Sequence, residues 1–256
     1  MESPYAIDLD QRRSVRGILG AALDLYRHYP WLFAVLALGV IAPYDLMVLA
    51  VTGSSPLGGG AHESVGTSFL LLLLNLALVG PLVSALHVHA VVLVGEGGRP
   101  RLGEVALRGL RVLGVVVAAD IMSALGITLG YLALVIPGVL LSLRWSVVAQ
   151  TAAIENEGWL PALRRSGWLA AGHYWRIFRL VLVTGLLTFA VIRGAAAIPS
   201  GSGTSSGFIA LGIAVHTLTA SFAALTLALL YFDLRARTTE GHPRRTPEYQ
   251  HLRDLD

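Results

Sequence analysis

Residues 136–179 read IPGVLLSLRWSVVAQTAAIENEGWLPALRRSGWLAAGHYWRIFR, and the fold turns on how this stretch divides. It opens inside an apolar run, carries Arg144 at the depth of a membrane, and closes in an arginine- and tryptophan-rich segment that leads into another apolar run. Pro137 removes the backbone donor that would reach residue 133 and, with Gly138, predicts a kink or interruption. From Trp159 to Phe178, a 100° wheel places Arg164, Arg165, Arg176 and Arg179 on one side with Trp168, and Trp159, Leu163, Gly167, Ala170 and Tyr174 on the other. Such a helix lies in the headgroup plane before the chain turns inward. The stretch therefore reads as a span, an interfacial helix and the start of the next span.

Composition extends this reading to the whole chain. Of 256 residues, 55% are hydrophobic and 14% charged, against about 25% charged in soluble domains; the mean hydropathy is +0.67. Lipid is the natural solvent. The 19 basic residues outnumber the 16 acidic ones, yet they cluster at the ends of apolar runs, which argues against a nucleic-acid partner. There is no cysteine, so disulfides and thiolate metal sites are excluded. The first residues lack the short apolar run and small-residue cleavage site of a signal peptide.

At roughly 20 apolar residues per crossing, the chain offers six spans, at about 31–51, 68–93, 112–129, 131–153, 177–198 and 208–232. Residues 112–153 are too long for one crossing, and Ser123, Gly126 and Gly130 mark the expected hairpin. All arginines but Arg144 and Arg193 fall before span one, between spans two and three, between spans four and five, or after span six. The alternate connections, VTGSSPLGGGAHESVGTS and PSGSGTSSG, contain none. The positive-inside rule thus places both termini in the cytoplasm. Amphipathic patterns at 15–28, 101–113 and 159–178 precede spans one, three and five, which suggests a threefold repeat of amphipathic helix plus two spans. The expected architecture is an all-α integral membrane domain over 1–236 with three cytoplasmic-side interfacial helices, followed by a flexible cytoplasmic tail over 237–256.

IPGVLLSLRW, ENEGWLPALRRSGWLAAGHYWRIF and LLYFDLRAR, across about residues 130–236, resemble the membrane domain that accompanies some glycerophosphoryl diester phosphodiesterases, and a wider set of uncharacterised six-span bacterial membrane proteins. The resemblance implies a membrane module of the bacterial cytoplasmic (inner) membrane. It carries no catalytic residues across, because hydrolysis in the fused proteins belongs to a separate soluble barrel, for which about 250 residues are needed.

Ionisable groups at membrane depth normally face a partner or water, since a charge at a helix centre costs roughly 2.5–3.5 kcal/mol on insertion scales. Asp120 and Arg144 fall at similar depth and are expected to pair, directly or through water, with His87 facing them; this is either a packing pair or a proton or ion site. Asp45, beside Pro43 in span one, is expected opposite Arg193, unless Arg193 snorkels to the interface. His87 and His89 point about 200° apart on a helix and do not chelate one metal together. Asn75, Gln150 and His216 read as interhelical hydrogen-bonding groups. No catalytic motif, cofactor or metal site is expected. The favoured function is a non-enzymatic scaffold or accessory module whose Arg164, Arg165, Trp168, Arg176 and Arg179 bind anionic lipid headgroups or a membrane-protein partner. The alternatives are a small transporter or channel using the polar cluster, and a lipid-modifying enzyme.

Overall fold

The structure, a computed structural model, describes residues 7–53, 55, 57, 64–98, 100–198 and 205–240. Among them the chain is all helical: α1 (Val15–His28), α2 (Pro30–Thr52), α3 (Val65–Leu74), α4 (Gly80–Gly95), α5 (Leu102–Ala133), α6 (Val135–Arg144), α7 (Val148–Glu155), α8 (Trp159–Ala170), α9 (Tyr174–Ala196) and α10 (Ser206–Glu240). A π-helical turn, Asn75–Val79, joins α3 to α4 without a break.

Among the described residues, five segments are long and apolar enough to cross a membrane: Pro30–Thr52, Leu102–Ala133, Val135–Glu155, Tyr174–Ala196 and Ser206–Thr238. Between 17% and 44% of each is buried inside the protein. Most of their apolar surface therefore faces outward, where only lipid covers it. The span expected at 68–93 falls on α3, the π-turn and α4, each too short to qualify alone. The π-turn has a cause: Pro81, at the start of α4, lacks an N–H, and the preceding Gly80 N–H bonds Asn75 O five residues back, which widens the turn.

Three expectations are corrected. The hairpin between the third and fourth apolar runs turns at Leu134, a single extended residue with φ −165° and ψ 152°. Gly126 and Gly130 serve helix contact instead: an added Cβ would lie 2.5 Å from the Trp145 ring at Gly126 and 3.0 Å from Gly138 Cα at Gly130. Pro137 stands in the first turn of α6, where no intrahelical donor is required, so it does not interrupt the span. The interruption comes at Trp145–Val147, between α6 and α7. The amphipathic pattern at 101–113 is no separate helix but the opening of α5, because nothing there stops the helix and Glu104 pairs with Arg108 across one turn at 2.8 Å. α1 and α8 do stand apart from the spans that follow them, at Tyr29 and at Gly172, whose φ of 79° ends the α8 path.

α10 is the axis of the bundle. Leu225, Ala228, Leu229, Leu230, Tyr231, Phe232 and Leu234 are all buried on it. α1 lies along it with Ile18, Ala22 and Leu25 inward, so the apolar stripe of this amphipathic helix is covered by protein rather than by acyl chains. α10 continues to Glu240, making the first residues of the expected tail helical. The remainder of that tail, with Arg244, Arg245 and Arg253, lies outside the described residues, as do Arg99 and most of the two arginine-free connections.

Candidate functional site: the polar end of the axial helix

At the C-terminal end of α10 the sequence Tyr231-Phe232-Asp233-Leu234-Arg235 directs alternate side chains to opposite sides, about 200° apart on a helix. Asp233, fully buried, faces α9 and the residues before α1. Its Oδ1 accepts the Arg13 backbone N–H at 2.6 Å and Arg237 Nη2 at 3.2 Å. Its Oδ2 accepts Arg176 Nε at 3.0 Å and Arg237 Nε at 2.9 Å. The helix supplies one of these partners by itself, since Arg237 follows Asp233 by four residues. Both guanidinium groups also donate to Arg13 O. A buried carboxylate survives only when its lone pairs are satisfied by such charge-assisted donors.

The other side of the segment faces α7 and α8. Tyr231 Oη donates to Glu155 Oε1 at 3.1 Å, and Arg165 Nε donates to the same oxygen at 3.0 Å. Arg235 pairs with Asp10 at 3.2 Å. Residues 7–14 thus form a strap that binds α10 through Asp10 and Arg13 and crosses the end of α4, where a Cβ on Gly95 would lie 2.5 Å from Leu9. The two sides together tie the strap, α7, α8 and α9 to one helical turn.

The expected pairs are not the observed ones. Asp120 is partly buried on α5, while Arg144 is exposed at the end of α6, and among the described residues no ion pair joins them. Arg144 instead lies over Gly167 of α8, where an added Cβ would be 2.7 Å from its Nε, and its carbonyl accepts Ser166 Oγ at 3.1 Å. His87 is fully buried but joins α4 to α10: its ring nitrogens contact Val83 O and Ser221 Oγ, each at 2.8 Å, and it stacks on Phe33 at 5.6 Å. Because Gly109 of α5 packs on Leu86, Asp120 is about 16 Å further along α5 than the His87 level.

Asp45, 3% exposed, meets His216 of α10 rather than Arg193, with Nδ1 at 2.9 and 3.0 Å from its two oxygens. Arg193 is exposed on α9. Tyr44 beside the pair donates to Leu71 O at 3.1 Å, next to the π-turn. His216 therefore does bond between helices, whereas both amide atoms of the buried Gln150 lack a partner among the described residues.

The five arginine and tryptophan residues expected at a lipid surface divide. Arg164, Trp168 and Arg179 are exposed. Arg165 stacks over Trp168 at 4.6 Å while bonding Glu155, and Arg179 lies 5.9 Å over Trp175. Arg176 is turned inward to Asp233, its side chain 15% exposed. One wheel through 159–178 had put all four arginines on one side; the turn at Gly172 resets the phase between α8 and α9. The residues that the sequence reading left out are Asp233, Glu155, Tyr231 and Ser221. Asp233 had a signal: an acid within an apolar run, four residues before an arginine.

Among the described residues no group of three or more His, Cys, Asp or Glu side chains is placed to hold a metal ion. No protein-family model, curated protein or solved structure matches the chain.

Proposed function

We propose that the protein is a non-catalytic, six-span module of the bacterial cytoplasmic membrane, both termini cytoplasmic, whose arginine-rich end holds anionic lipid headgroups. The observation that carries this reading is the division of the arginines. Those facing inward, Arg176 and Arg165, are bonded to Asp233 and Glu155, Arg165 through its Nε. Arg164 and Arg179 face outward beside exposed Trp168 and Trp175, the latter 67% exposed. Tryptophan and arginine at the mouth of an apolar span are the pattern of a headgroup interface, worth about 1 kcal/mol per basic residue towards an anionic surface. The amphipathic α1 and α8, docked on the bundle with their polar sides out, supply the rest of that surface. The resemblance to the membrane domain beside phosphodiesterases accords with an accessory role. Native mass spectrometry of the protein purified with its lipids tests the reading. Phosphatidylglycerol or cardiolipin adducts should be retained, and Arg164→Gln with Arg179→Gln should weaken them about tenfold or more. Purification with neither anionic lipid nor a protein partner attached overturns it.

A second reading, a small transporter, rests on one observation, the Asp45–His216 pair inside two spans, because ionisable groups at such depth commonly mark ion or proton paths. Substrate-dependent or proton-dependent flux in reconstituted vesicles, abolished by Asp45→Asn with folding retained, would favour it over the scaffold.

A further inference from the structure

A polar cleft of 560 Å³ opens beside the Glu155 cluster, lined by Ile154, Glu155, Glu157, Arg165, Tyr231 and Arg235. Its rim is fixed by the tight turn from α7 into α8, where Asn156 takes φ 48° and Gly158 φ 108°, leaving Glu157 exposed between them. The bonds that build the cleft leave part of its chemistry unused. Glu155 accepts both Arg165 and Tyr231 on Oε1. Among the described residues, no hydrogen bond is formed by Glu155 Oε2, by the terminal nitrogens of Arg165 or by the Glu157 carboxylate. Arg235 stands on the α10 wall, held to Asp10 and over the Phe232 ring at 5.0 Å.

Besides Arg235, which is paired with Asp10, the cleft therefore presents two carboxylates and the Arg165 guanidinium fork within one volume, a pattern complementary to a ligand of both charges. We propose that it binds a phosphoethanolamine group, the primary ammonium held by Glu157 and Glu155 Oε2 and the phosphate by the terminal nitrogens of Arg165. Charge excludes the nearest alternatives. A phosphate without an amine would face the Glu157 carboxylate with no further cation between them, because Arg235 is held to Asp10. A trimethylammonium group has no N–H to donate and is held by aromatic faces, but Tyr231, the one aromatic side chain lining this cleft, is 1% exposed and committed through its hydroxyl. The same chemistry comes from a phosphatidylethanolamine headgroup or from a free phosphoethanolamine.

This inference deepens the headgroup reading and rests on it, and the test separates the two. The full chain is incubated with equimolar phosphatidylethanolamine, phosphatidylcholine and phosphatidylglycerol of matched acyl chains, and bound lipid is read by native mass spectrometry. Phosphatidylethanolamine should be retained about tenfold over phosphatidylcholine, as expected for charge-assisted N–H contacts. Glu157→Gln, on an exposed turn with no structural bond to break, should abolish that preference and spare phosphatidylglycerol. Arg164→Gln with Arg179→Gln should do the reverse. Displacement by millimolar soluble phosphoethanolamine assigns the site to the headgroup alone; retention against it assigns the site to the lipid. Equal retention of the ethanolamine and choline lipids, or an unchanged preference in Glu157→Gln, overturns the proposal. If the preference persists while phosphatidylglycerol binding ignores Arg164 and Arg179, the cleft stands and the anionic surface falls.

Discussion

Asp233 shows how one side chain sets the charge pattern of an entire face. It takes four donors onto two oxygens, and through them removes Arg176 from the outward-facing set. Asp233→Asn keeps the shape but leaves two guanidinium groups around a neutral amide, and breaking a buried pair in this way costs about 3–5 kcal/mol. Thermal unfolding in detergent should show a large drop, with earlier proteolytic cleavage of the strap before α1. Asp45 and His216 make the same argument inside the spans. Asp45→Leu or His216→Leu alone strands a buried polar partner, at about 1–3 kcal/mol, whereas the double substitution strands neither. A double-mutant cycle on the unfolding midpoint should therefore show the double variant no less stable than the worse single, and strictly additive losses would rule out the pair. Sequence offered Arg193 as the partner of Asp45, with a snorkelling Arg193 as the alternative, and Arg193 is exposed. The partner His216 was not legible because depth along a helix fixes axial position only, while the choice between Arg193 and His216 depends on rotation about the axis.

The α5–α6 hairpin carries that lesson at the scale of elements. Length required a turn somewhere in 112–153 and glycine is the usual place for one, yet Gly126 and Gly130 are spent on close approach and Leu134 turns the chain. Small residues that let helices touch and small residues that let a chain turn are identical in sequence, and only the facing surface tells them apart. Substitutions in α6 expose the difference. Pro137→Ala should shift stability by no more than about 1 kcal/mol, since its first-turn site needs no donor. Gly138→Ala should cost about 1–3 kcal/mol through overpacking, because the new Cβ would lie 2.4 Å from the Tyr131 ring. Comparable losses at the two positions, measured by thermal unfolding, would restore the proline kink. Helices α1 and α8 were legible as amphipathic patterns, but whether such a pattern stands alone or opens a longer helix depends on a breaker: Tyr29-Pro30 and Gly172 provide one, and nothing in 101–113 does.

For the whole molecule, the span count decides which surfaces share a side of the membrane. Five helices qualify by length and apolarity, and an odd number would put the two ends on opposite sides. Residues 65–95 follow one helical path through the π-turn, long enough for the ~30 Å hydrocarbon core, and the proposed six-span topology counts it as the sixth crossing, in line with the arginine distribution. The packing agrees with the even count in one respect: the strap and the end of α10 are bonded to each other through Arg13 and Asp233, so both lie at the same end of the bundle. Because the chain contains no cysteine, single replacements report topology without background. Ser3→Cys and Thr246→Cys should react with a membrane-impermeant maleimide only after the cells are permeabilised, and Ala61→Cys and Ser205→Cys should react in intact cells. Reaction of Ser3→Cys and Thr246→Cys from opposite sides would reduce the count to five and detach the headgroup surface from the cytoplasmic leaflet. Reaction of all four from the reverse sides would keep six spans and turn Arg164, Arg179 and the Glu157 cleft to the outer leaflet, where the same lipid chemistry would have to be sought.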